Sequence, residues 1–119
     1  MIKTMKIIIF LFLFSFATIS SVHAMSGEKW LSYCEYSGVK PYESGMCLGY
    51  IMGVSEHHVL IEQLLGIIEN KLCIPSRATF KQLMEVAKKW LKEHPEKLHQ
   101  DFSVSYLSIM KEVFPCKSQ

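Results

Sequence analysis

Hydrophobic positions fall first into one dense run and then into stretches with helical spacing. The run extends from Ile7 to Ala17, follows Lys3 and Lys6, and gives way to Thr18, Ser20 and Ser21. Val22-His23-Ala24 then places small residues two apart, which completes the three-part layout of a secretory signal cleaved after Ala24. A spanning helix needs roughly 20 apolar residues, so the short core fits an uncleaved membrane anchor less well. The expected division is residues 1–24 as signal and 25–119 as one mature domain without linker or repeat.

Beyond the signal, Trp30, Leu31 and Tyr33 suit a short helix opened by Ser26 as N-cap and ended by Gly38 and Pro41. A second helix is expected from about Tyr42, with Gly45, Gly49 and Gly53 at four-residue intervals on one face. Each interior glycine costs up to about 1 kcal/mol, so this face should receive another helix, within the chain or across a dimer seam; a loop is the blander alternative. Ile61, Leu64, Leu65, Ile67, Ile68 and Leu72 either extend this helix or form a separate one after a break near Ser55.

Pro75 marks the Cys73–Ala78 stretch as a connector. Thr79 and Gln82 form a capping box ahead of the stripe Leu83, Val86, Ala87, Trp90 and Leu91. Pro95 suits the first position of a last helix that turns Leu98, Phe102, Tyr106, Ile109 and Val113 inward. No period-two stretch has a turn partner. The fold class expected is all-α, a small disulfide-stapled bundle of four or five helices.

Composition then narrows the function. Without Lys3 and Lys6, the 13 basic residues fall to 11, against 11 acidic ones. That balance lacks the basic stripe of a nucleic-acid binder, and no polybasic patch points to a membrane. Lys88, Lys89, Lys92 and Lys97 alternate with Glu85, Glu93 and Glu96, as on a solvated helix face. Cys34, Cys47, Cys73 and Cys116 all follow the signal, so an oxidising compartment should join them in two disulfides. Three pairings are open. Cys34 with Cys47 and Cys73 with Cys116 is favoured, because the first joins neighbouring segments and the second ties the chain end to its middle. Without a Cys-x-x-Cys pair, a zinc site is the weaker alternative.

These landmarks together resemble the Rap/Tai family of periplasmic immunity proteins, which protect bacteria from amidase effectors delivered by type VI secretion systems. The resemblance rests on Cys47–Val54, Cys73-Ile74-Pro75, Thr79 to Gln82, Trp90-Leu91, His94-Pro95-Glu96, Leu98-His99 and Phe114-Pro115-Cys116. Glu56 departs from it, standing where the family pattern would place an Asp. The resemblance implies a helical domain, often dimeric, that binds a peptidoglycan-cleaving amidase and blocks its cleft.

Little in the chain suggests a reaction centre, and no catalytic residue, cofactor or metal is expected. His57 and His58 are adjacent and project about 100° apart on a helix. His94 and His99 straddle a proline break, so neither pair offers an i, i+4 metal frame. Occlusion needs a protruding anchor instead, and Glu56, His57, His58 and Glu62 surround the point near Ser55 where, if the helix breaks, a segment could project. The expected function is a non-enzymatic immunity factor. The alternatives are a helical stress protein or chaperone without a toxin partner, and, if the cysteines are free, a small hydrolase.

Overall fold

The computed structural model describes residues 1–2, 23–66 and 71–117. The Ile7–Ala17 run lies outside them, as do Ile67 and Ile68. Within the stretch from 23 to 117, the described residues form four α-helices in order: α1 (Gly27–Glu35), α2 (Pro41–Leu65), α3 (Phe80–Glu93) and α4 (Phe102–Val113), with a 3₁₀ turn at Pro95–Lys97. Among the described residues the only β-type pairing is an isolated bridge between Ser26 and Asp101. No helix among them is long and apolar enough to cross a membrane.

Local chemistry sets most of the boundaries. Ser26 caps α1 by accepting the Lys29 N–H at 3.2 Å. Thr79 and Gln82 form the reciprocal box, with the Gln82 N–H on Thr79 Oγ1 at 3.2 Å and the Thr79 N–H on Gln82 Oε1 at 2.8 Å. α2 ends at Gly66, whose left-handed φ of 58° suits glycine and whose N–H closes on the Glu62 carbonyl.

Of the two alternatives at Ser55, the structure shows the continuous helix, which runs through Ile61, Leu64 and Leu65 without a break. Pro41 starts α2 and no further proline interrupts it, while the Ser55 hydroxyl donates back to the Ile51 carbonyl at 2.7 Å without ending the helix. The last helix departs from expectation, because Pro95 opens only the 3₁₀ turn. There the Leu98 and Gln100 carbonyls accept the Glu28 and Gly27 N–H groups, each at 2.9 Å, and the Phe102 N–H donates to the Met25 carbonyl at 2.7 Å. These pairings satisfy donors that α1 and α4 would otherwise leave open, and they divert residues 98–101 from a helix. Gly27 permits the approach: a Cβ there would lie 3.3 Å from the Leu98 carbonyl oxygen.

The core is built on Trp30 of α1. Its ring stacks on Phe102 with centroids 4.0 Å apart, and its indole N–H donates to the Cys47 carbonyl at 3.0 Å. Ile51, Leu83, Met84, Ala87, Leu91, Tyr106, Ile109 and Met110 complete it. Val113, expected to face inward, is exposed because α4 is in its last turn there. Cys34–Cys47 joins α1 to α2 inside this core, and Cys73–Cys116 ties the C-terminal segment to the connector before α3. Closing loops of these lengths stabilises the fold by roughly 3 to 4 kcal/mol each on the chain-entropy estimate.

Candidate functional site

The C-terminal half of α2 gathers the four residues singled out in sequence, and because the helix is continuous its geometry sorts them. Glu56 and His57 are exposed, whereas His58 is buried and Glu62 half-buried. The successive histidines diverge as helical geometry requires. His58 Nε2 and Glu62 Oε1 meet at 3.0 Å, and the same oxygen accepts the Leu72 N–H at 2.8 Å. Glu62 therefore faces the chain and fastens the connector to α2. Glu56 and His57 are left to face outward.

On the outward side the helix is apolar. Val59, Leu60, Leu64 and Leu65 are each at least half exposed, and Leu48 and Met52 continue the uncovered surface toward the N-terminus. Two grooves flank the His58–Glu62 pair. One, of about 300 Å³, runs between α2 and α4 past Val54, Ile61, Val104 and Leu107. The other, of about 380 Å³, lies between α2 and the connector and is lined by Val59, Leu72, Ile74 and Phe80. Sequence reasoning passed over this flank. Its signal was the adjacency of Val59, Leu60 and Ile61 and of Leu64 and Leu65, more apolar positions than one buried stripe can absorb.

Gly45, Gly49 and Gly53 are exposed, and a Cβ built on any of them meets nothing within 4 Å. Packing of another helix of this chain into that face does not occur among the described residues. Tyr106, on α4, meets the Ser55 hydroxyl at 2.6 Å. Ser55 already gives its proton to Ile51, so the phenol is the donor. Burial pushes the Tyr106 phenol above the ordinary tyrosine value.

The remaining histidines belong elsewhere. His94 lies over the Trp90 ring at 4.0 Å and meets Glu96 at 3.2 Å, and His99 is exposed. The backbone N–H of Glu96 and, less strongly, His94 hold the Glu96 carboxyl below the usual range. Among the described residues, no three His, Cys, Asp or Glu side chains gather as a metal site would require.

A two-disulfide helical domain with an uncovered apolar flank on its longest helix has the architecture of a protein that binds another protein. The chain belongs to the family of Rap1a immunity proteins, whose family pattern matches residues 26–116. Membership carries an immunity role, in which the partner is an effector protein. No curated protein and no solved structure gives a significant match.

Proposed function

We propose that this protein is exported to the periplasm, its signal removed after Ala24, and there binds and occludes a peptidoglycan amidase effector of a type VI secretion system. Family membership over residues 26–116 is the observation that carries this reading. The Lys3, Lys6 and Ile7–Ala17 pattern supports export, and two disulfides suit an oxidising compartment. Occlusion requires binding energy and no reaction of its own. The outward flank of α2 offers Val59, Leu60, Leu64 and Leu65 as anchors, with Glu56 and His57 as polar contacts. A second copy of the chain is the proposed occupant of the Gly45, Gly49 and Gly53 face, where the absence of side chains lets two helix backbones come close.

The test mixes purified protein with an amidase encoded in a neighbouring reading frame and follows muropeptide cleavage. Equimolar protein should abolish cleavage, and Glu56→Ala with His57→Ala should weaken inhibition at least tenfold without changing the melting temperature. Full cleavage in the presence of excess wild-type protein would refute the proposal.

The same exposed leucines favour one second reading, a chaperone for unfolded clients. Suppression of aggregation across unrelated denatured proteins, without amidase inhibition, would select it.

A further inference from the structure

The two disulfides stand in opposite environments. Cys34 and Cys47 are 2 % and 0 % exposed, enclosed with Trp30 and Ile51 in the core. Cys116 is exposed and Cys73 only half-buried, beyond the end of α4. Thiol–disulfide exchange needs a thiolate to approach a sulfur along the S–S axis, so access sets which bond can react while the protein stays folded. We propose that Cys73–Cys116 is a reducible strap, opened by a dithiol reductant while Cys34–Cys47 stays closed, and that opening it loosens residues 71–74 from the flank of α2.

The reaction balances as a two-electron exchange. One thiolate of the dithiol attacks Cys116 Sγ, the bond to Cys73 breaks, and Cys73 leaves as a thiolate that takes up a proton. The second thiol of the reductant, as its thiolate, then displaces Cys116 from the mixed disulfide. The products are two protein thiols and one oxidised dithiol.

The consequence is local because the strap's attachments are local. The C-terminal segment is joined to the connector by this bond and by the contact of Cys116 Sγ with the Lys71 carbonyl at 3.8 Å. On the other side, the connector is held to α2 by the Leu72 N–H on Glu62 and by Leu72 and Ile74 resting on the core. Those two residues also line the larger groove. Cutting the strap leaves residues 71–74 held by noncovalent ties, and the groove wall gains freedom. Helices α1 and α2 keep their own cross-link.

The experiment treats the oxidised full chain with dithiothreitol under native conditions, quenches with N-ethylmaleimide at intervals, and maps modified cysteines by peptide mass spectrometry. Cys73 and Cys116 should be modified roughly 100-fold faster than Cys34 and Cys47, because the buried pair must await a larger opening. Hydrogen exchange on the species with only Cys73 and Cys116 modified should rise across 71–74 and 114–117, with α1 still protected. Modification of all four cysteines together, or of the core pair first, overturns the proposal. So does unchanged exchange at 71–74 once the strap is open.

Discussion

The indole N–H of Trp30 reaches the carbonyl of Cys47 at 3.0 Å, so one side chain of α1 is fixed to the residue whose sulfur already joins α2 to α1. The covalent and noncovalent ties share a site, and Phe102 covers the ring from the other side at 4.0 Å. Trp30→Phe keeps an aromatic ring but loses the donor and some volume, and should cost about 2 kcal/mol. Trp30→Ala should cost about 4 kcal/mol. Urea unfolding of the oxidised protein measures both, and equal losses for the two variants would contradict this role.

Glu62 acts as a fastener within the chain. Its Oε1 holds the Leu72 N–H at 2.8 Å and meets His58 at 3.0 Å. Glu62→Gln retains an acceptor for that N–H and should leave Leu72 amide exchange close to wild type. Glu62→Ala removes the acceptor, should cost about 1 kcal/mol, and should speed exchange at Leu72 roughly fivefold. Comparable exchange at Leu72 in both variants would mean that the segment is held by packing alone.

Helix α3 and the disulfides were legible in sequence because their signals are local or compositional. Thr79 and Gln82 lie three residues apart, and the stripe from Leu83 to Leu91 repeats at the helical period. The start of α4 was not legible. It depends on the Met25 carbonyl and on Leu98 and Gln100 pairing with Glu28 and Gly27, contacts across 70 or more positions of sequence. At the candidate site, the residues to inspect were visible but their directions were not. A break near Ser55 would have left the orientations of Glu56 and Glu62 independent of each other. One unbroken helix turns Glu62 toward Leu72 and leaves Glu56 outside.

Two glycines should respond in opposite ways to alanine. At Gly27 a new Cβ would sit 3.2 Å from Leu91 Cδ2 and 3.3 Å from the Leu98 carbonyl oxygen, which the Glu28 N–H holds in place. Gly27→Ala should therefore lower stability by about 1 kcal/mol despite alanine's better helix propensity. At Gly49 a Cβ meets nothing within 4 Å, and Gly49→Ala should raise monomer stability by up to about 1 kcal/mol. Chemical denaturation at low protein concentration reads both, and a loss at Gly49 under those conditions would show that the face is covered even in the monomer.

Alkaline stability should carry the signature of Tyr106. Its phenol is enclosed in the core, donates to Ser55 at 2.6 Å, and has its ionisation pushed upward chiefly by burial. A folded-state value above the unfolded one means that the folded protein keeps the proton longer. The associated stability is then fully present below pH of about 10, where an unfolded tyrosine begins to ionise, and is lost as pH rises toward the folded value. Tyr106→Phe removes both the hydrogen bond and the titrating group. It should cost about 1 kcal/mol at neutral pH and flatten the decline above pH of about 10 relative to wild type. The difference between the wild-type and Tyr106→Phe curves isolates Tyr106. Parallel curves through the alkaline range would mean that its phenol titrates alike in the folded and unfolded chains.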